Sequence, residues 1–400
     1  MAQPSAELFD NLRVLDLIGR ESGGTICTSY LADFGADVIK IDRPGEPEPA
    51  MAAQYVKSGF NLPYKVKGRN KRHITLDLSK PQGQDIFRRL VGVSDVVAES
   101  FPPGAMEGWG FGYESLKSIN PKIVFTRLSG FGQTGPYKDR RLDGRTGEAF
   151  GGFAWLDGEP NREPLHSQGD IGGTIAGIWA AFGTILALLH RDRRSGEGQV
   201  VDVSMWEPIY RQQTGNIPTY ASTGVVPGRS GSRKSGGPPW VDTHATKDGG
   251  FFTYAAVTRA SMRDQMLAMN MFIDPRFKDF PTTFQNSNAY HDEAARWMKE
   301  HTTEEVDDAF QRYECSSSIA MNAASLIDNP HILARQDVIQ IDDPDLGRVR
   351  MQGIIPKFSK TPGSVRWTGE RPGTRNAEVY GELLGLQEKD LDELRQAGVI

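Results

Sequence analysis

Asp170 stands between Gln168-Gly169 and Ile171-Gly172-Gly173-Thr174, at the head of a long apolar stretch. An aspartate in that place can cap a helix by accepting backbone N–H groups. Those donors and the helix dipole favour the ionised carboxylate. The adjacent glycines leave room for a ligand to come close. An ionised, uncrowded carboxylate can attack a thioester carbonyl and form a covalent intermediate. Read from these residues alone, it is also an ordinary N-cap. Residues 129–136 (SGFGQTGP) form a second candidate, a glycine-rich loop whose backbone N–H groups could hold an oxyanion or simply make a tight turn. Basic clusters come third: Arg43 in DRPG, Asn70-Lys71-Arg72, and Lys138 with Arg140 and Arg141. Arginine forks and lysine charges suit phosphate groups, although a solvated surface explains any single cluster.

The elements that must carry these groups alternate between strand and helix. Residues 12–17 (LRVLDL), 38–42 (VIKID), 74–78, 95–99, 123–128 and 199–205 (QVVDVSM) are expected as strands. Helices are expected over 25–34, 80–91, 113–119 and 207–213. Apolar strands separated by helices imply βαβ units and a mainly parallel sheet, with ligands at its carboxyl edge. The composition changes over 224–239, where Gly, Ser, Pro and Arg dominate and a loop or boundary is expected, and 228–237 (GRSGSRKSGG) reads as a mobile cover or a linker. Paired strands follow within 240–257, then helices. Trp240 and Tyr254 are candidates for a pocket wall or for core. Short strands resume over 346–355, and helices close the chain near 377–384 and 389–397. The expected domains are 1–215, a smaller domain over 216–325 with its preceding linker, and 326–400 returning to the first.

The 400 residues include 46 Lys+Arg and 51 Asp+Glu, a net charge of −5, which argues against a nucleic-acid surface. The N-terminus lacks a signal peptide's basic and apolar regions, so a cytoplasmic location is expected. Residues 171–189 are long and apolar enough to imitate a membrane span. Four glycines and the absence of a second span favour a buried core helix, and no membrane partner is expected. The two cysteines and seven histidines have no metal-ligand spacing in sequence, so no metal is expected. Residues 19–24 (GRESGG) precede Asp42 by about twenty positions but lack the GxGxxG fingerprint, so no nicotinamide cofactor is expected.

These stretches, in their order along the chain, resemble the class III (CaiB/BaiF-type) coenzyme A transferases. The segments are VLDL, LADFGADVIKIDRPG, NKRHITLDLSKPQG, DVVAESFPPGAMEGWGFGYESLKSINPKIVFTRLSGFGQTGP and QGDIGGTIAGIWAAFGTILALLHRDRRSGEGQVVDVSMWE. Within that family IIPKFSKTPG looks more like the carnitine-type members than the formyl type. The resemblance implies an α/β fold: a Rossmann-like large domain built from both chain ends, a smaller α+β domain, and an interlocked homodimer. It implies that acyl-CoA and a small carboxylic acid are the substrates, with Asp170 as the nucleophile. It implies CoA contacts at Arg43, at Asn70, Lys71 and Arg72, at Phe101 and at Arg141.

The chain also departs from the family. Gly108 stands where formyl-type members have an arginine, and Asp143-Gly144 where they have a tyrosine–acid pair. α-Methylacyl-CoA racemases share the aspartate and most of the motifs, but they need a second acid/base. At that place this chain has Asp143. The middle-domain glutamate of the racemases is not found, with Thr258 nearby. A racemase with Asp143 as acid and a non-catalytic CoA-binding homologue are the alternatives to a transferase.

Overall fold

A computed structural model describes residues 7–20, 22–46, 55–233 and 240–400 of the chain. Its principal sheet has six strands, β1 (Arg13–Leu17), β2 (Asp37–Asp42), β3 (Lys71–Thr75), β4 (Val96–Glu99), β5 (Val124–Ser129) and β6 (Val200–Ser204). They are all parallel, in the spatial order β3–β2–β1–β4–β5–β6. β1 through β5 are buried on both faces almost throughout, which is why they read as continuous rather than alternating apolar runs. Val14 of β1 lies beside Val38 on one side and Val96 on the other. At β1 the chain changes direction of growth, first outward through β2 and β3, then to the opposite side through β4. Ligands of open α/β sheets bind at the carboxyl ends of strands at such a reversal.

Four helices matter for the site: α1 (Ile26–Asp33), α2 (Pro81–Gly92), α3 (Gly144–Phe150) and α4 (Ile171–His190). α1 ends before Gly35, whose φ of 103° only glycine adopts without strain. α2 starts with proline, whose missing N–H costs nothing in a first turn. α4 packs one face of small residues, Gly172, Gly173, Ala176, Gly177, Ala180 and Ala181, into the fold. A Cβ on Gly177 would approach Gly24 O to 2.9 Å, so glycine allows this close packing. The opposite face leaves Ile178, Trp179, Phe182, Ile185, Leu186 and Leu189 exposed. The helix expected to be buried is thus buried along one face only. By length and composition it could also cross a membrane, but half of its most apolar window is buried within the protein.

The chain forms two compact units, and the smaller takes in Ala154–His166 and Thr214–Asn329. The expected middle segment 216–325 falls inside that unit, and Ala154–His166 joins it from the N-terminal half. Its sheet is antiparallel, β9–β8–β7, from β7 (Val241–Ala245), β8 (Phe251–Ala255) and β9 (Ser317–Ile319). Trp240, Phe252, Tyr254, Tyr290 and Phe310 fill its core, so Trp240 and Tyr254 are packing residues. Residues 234–239 of the expected cover or linker lie outside the described residues.

The C-terminal segment belongs to the larger unit. The hairpin β10 (Val338–Asp343) and β11 (Gly347–Gln352) is followed by two closing helices, Asn376–Leu384 and Glu388–Gln396. Trp367 Nε1 donates to Lys71 O at 2.9 Å, Thr75 N to Asn376 Oδ1 at 2.9 Å, and Asp77 N to Val399 O at 2.8 Å. The last residues of the chain therefore satisfy the outer edge of β3. This strand begins three residues earlier than its sequence suggests. Its opening Lys-Arg-His reads as solvated loop, whereas the fold buries all three side chains with partners.

Candidate active site

The turn between β1 and α1 carries the first half of the site. Ser22 N bonds Gly19 O at 3.1 Å, and Thr25 Oγ1 bonds the same oxygen at 2.9 Å. Gly19 N is held by Ser100 Oγ at 3.0 Å, beyond the end of β4. This tight turn aims the N–H of Gly23 at Asp170, where it donates to Oδ2 at 2.6 Å. The second half is the start of α4. Asp170 is its N-cap, and Gly173 N donates to Oδ1 at 2.9 Å. Each carboxylate oxygen thus receives one backbone N–H, and the residue remains partly exposed. A Cβ on Gly23 would come within 2.6 Å of Oδ2, and one on Gly144 would overlap Oδ1 and Gly173 N. Glycine at these places is a requirement of close approach.

Glu148, on α3, is fully buried and holds the strand of chain that leads to Asp170. It accepts from Ser167 Oγ at 2.7 Å and from Ser167 N and Gly172 N, each at 3.2 Å. Sequence reading missed Glu148 altogether and noted Gly144 only as a departure from the family. Only their spacing ahead of QGD hints at a role, because the contacts are long-range.

A cavity of about 410 Å³ opens at the carboxyl ends of β1 and β2 and beyond β4, where the strand order reverses. Gly19, Arg20, Arg43, Ser79, Phe101 and Trp109 are among its lining residues. The wall therefore continues into the turn that delivers Gly23 to Asp170. Phe101 and Trp109 meet edge to face with ring centroids 5.0 Å apart, an apolar wall suited to a flat ring or an alkyl chain. Phe101 N donates to Glu99 Oε2 at 2.6 Å, which fixes the turn after β4. Burial pushes the Glu99 carboxyl up to about 7, against the pull of Arg127 Nε at 2.7 Å. Arg43 is exposed and only loosely paired with Asp77 at 3.8 Å. Burial opposes ionisation of Asp42, but Lys40 at 3.1 Å, with His73 and Arg20, outweighs it and holds the carboxyl well below the usual range.

Of the residues expected to contact CoA, Arg43 and Phe101 line this cavity, and Asn70, Lys71 and Arg72 do not. Asn70 bonds Asp33 Oδ1, Ser364 O and Arg366 N. Lys71 and Asp16 are both fully buried and 2.9 Å apart, with Thr28 completing the network. Arg72 spans Asp37 and Glu382 at 2.6 Å each. The charges of Lys71 and Arg72 are paired inside the fold. Arg141 is exposed on the loop before α3, outside the cavity lining. The 129–136 loop turns elsewhere too, with Gln133 N held by Asp202 at 3.0 Å.

Asp143 caps α3. Its carboxylate accepts from Thr146 N at 2.8 Å and Oγ1 at 2.7 Å. The backbone bond from Thr146 leads in holding the carboxyl below its ordinary value. Thr258 is the capping residue of the helix Arg259–Ala268. In the smaller unit Asp242, His244 and His291 come together with ligand atoms within 4.8 Å, a set that could hold a metal ion and that linear spacing does not reveal. Arg233 Nε already sits 3.0 Å from Asp242 Oδ2, and Ser232 bonds Oδ1. The carboxylate is charge-compensated there, and an added cation would compete with the guanidinium.

The model of CoA-transferase family III matches residues 9–374. The chain belongs to CoA-transferase family III. Succinyl-CoA–D-citramalate CoA-transferase of Chloroflexus aurantiacus is 38% identical over 396 residues, 98% of each chain. The β subunit of succinyl-CoA–L-malate CoA-transferase from the same organism is 30% identical over 388 residues, 94% of each chain. Among solved structures, a CaiB/BaiF family protein from Brucella suis superposes with a TM-score of 0.83 at 26% identity, covering 94% of this chain and 99% of that one. The six-stranded parallel sheet is therefore that of a family III CoA-transferase chain.

Lys71→Ala separates the two readings of that residue. It leaves Asp16 charged in the core, so urea unfolding should show a loss of about 3–5 kcal/mol. Unchanged stability with weakened CoA binding would return Lys71 to the ligand contacts.

Proposed function

We propose that Asp170 is the nucleophile and carries first the acyl group and then CoA. The observation that carries the reading is its partly exposed carboxylate, held between Gly23 N–H and Gly173 N–H, with Gly19 and Arg20 of the Gly23 turn lining a cavity at the sheet's reversal point. Arg43 and the Phe101–Trp109 wall would hold CoA there, the guanidinium on phosphate and the rings along the apolar parts. Asn70, Lys71 and Arg72 would support the fold beneath it.

Each step conserves atoms and charge. An oxygen of Asp170 attacks the thioester carbonyl, the carbon–sulfur bond breaks, and CoA leaves as a thiolate. The product is a mixed anhydride. The thiolate then attacks the aspartyl carbonyl, and the donor acid departs with the bridging oxygen. Asp170 is now a CoA thioester. The acceptor carboxylate attacks it, forms a second anhydride, and receives CoA from the returning thiolate. Negative charge builds on an aspartyl oxygen each time the aspartyl carbon is attacked. An N–H already aimed at each oxygen stabilises that charge without reorganisation. No phosphoryl donor is required, because the thioester bond is exchanged rather than made.

The names of the relatives support succinyl-CoA as donor and a hydroxylated dicarboxylic acid as acceptor. The racemase reading needs a second group that gives and takes a proton. Asp143 is a poor candidate, since its carboxylate is tied to Thr146 in the ionised form. A homodimer would cover the exposed apolar face of α4, in keeping with how rarely large apolar patches stay exposed. We place the reaction in the cytoplasm.

Intact-protein mass spectrometry after mixing with succinyl-CoA should find a covalent acyl or CoA adduct on the wild type and none on Asp170→Asn. An adduct on both proteins, or on neither, contradicts the nucleophile. Native mass spectrometry at micromolar concentration should find two chains per particle, and a monomer would leave the α4 face to another partner.

A further inference from the structure

Arg145 follows Gly144, whose α-carbon packs directly against the Asp170 carboxylate. Its Nη2 lies 3.4 Å from Gly169 O, the carbonyl that immediately precedes Asp170. That long contact is a weak hold on a guanidinium. Among the described residues Arg145 makes no ion pair within 4 Å. Asp143, two residues before it, is bonded by Thr146, and the Arg145 charge adds to what holds that carboxyl below its ordinary value. Arg145 is exposed and Asp170 partly so. Elsewhere on this loop Arg140 stacks over Tyr137 at 3.8 Å.

We propose that Arg145 is the subsite for a second carboxylate, so that this enzyme takes dicarboxylic acyl groups carried by CoA. The inference rests on the reading of Asp170 as nucleophile. A four-carbon diacid esterified to CoA has one carbonyl to present to Asp170 and a free carboxylate two methylenes away. A guanidinium next to the attacked carbon binds that carboxylate through a planar fork, which a lysine cannot reproduce. The same subsite accepts the distal carboxylate of a dicarboxylic acceptor when the sequence runs in reverse. An acyl group of the same length ending in methyl leaves the guanidinium solvated and gains nothing. Selectivity thus comes from a difference between two acyl groups at one site.

The test compares kcat/KM for succinyl-CoA with that for butyryl-CoA, in wild type and in Arg145→Ala and Arg145→Lys, with a common acceptor acid. The succinyl/butyryl ratio should fall roughly ten- to hundredfold in Arg145→Ala, the range for one hydrogen-bonded charge pair. Arg145→Lys should restore part of it. A ratio unchanged in Arg145→Ala overturns the subsite, as does an equal loss on both acyl-CoAs. Mass spectrometry of the same wild-type mixtures keeps the two readings apart. An aspartyl adduct with an unchanged ratio rejects Arg145 alone, whereas no adduct from either acyl-CoA rejects the nucleophile and the subsite together.

Discussion

The site depends on one carboxylate held by two backbone N–H groups from segments far apart in the chain. Gly23 reaches Asp170 from the first βα turn, 147 positions earlier in the chain, and Gly173 reaches it from the first turn of α4. Neither donor is a side chain, so its place is fixed by the whole backbone path: β1, the turn held by Ser100 and Thr25, and the packing of α1 on α4. This demand explains the glycines. Gly23, Gly144 and Gly173 surround the carboxylate at distances that admit no Cβ. Glu148 adds a second constraint by gripping Ser167 and Gly172 on either side of Asp170. The carboxylate is positioned with its oxygens pre-solvated by dipoles, the condition under which charge in a transition state costs least.

The rest of the larger unit supplies a rigid support for that arrangement. The sheet reverses its order at β1, so the cavity and the Gly23 turn share the carboxyl end of the same strand. Beneath it lie buried charges in pairs: Asp16 with Lys71, Asp33 with Arg69, and Glu99 with Arg127. Such pairs are weak sources of stability, but breaking one leaves a buried charge unmatched, so they restrict the backbone to one arrangement. The closing segment of the chain locks the far edge of the sheet through Trp367, Asn376 and Val399.

Much of this was legible in the sequence, and the failures share a cause. Strands such as VIKID and the helix after the QGD sequence announce themselves by local pattern, and Asp170 by its glycine-rich setting. Arg43 and Phe101, expected to contact CoA, both line the cavity at the sheet's reversal. Asn70-Lys71-Arg72 reads in sequence as a phosphate site or a solvated surface, and neither reading foresees its burial. The partners that bury it, Asp16, Asp33, Asp37 and Glu382, lie far off in sequence. Asp143 invited a role in proton transfer, and the capping box with Thr146 is visible only once α3 is placed. The scattered histidines His244 and His291 meet at Asp242 for the same reason. α4 exposes half of an apolar surface that composition alone assigns to the interior, since hydrophobicity does not say whether the cover is the same chain or another.

The most direct test of the central claim follows an oxygen atom. The acceptor acid, labelled with 18O in its carboxylate, is turned over with succinyl-CoA, and the peptide containing Asp170 is then weighed. If Asp170 carries the groups through anhydrides, the bridging oxygen of the second anhydride stays on the aspartate, and the Asp170 carboxylate becomes labelled as turnover proceeds. If CoA passes directly between the two acids, turnover leaves Asp170 unlabelled, and the account given for this site is wrong.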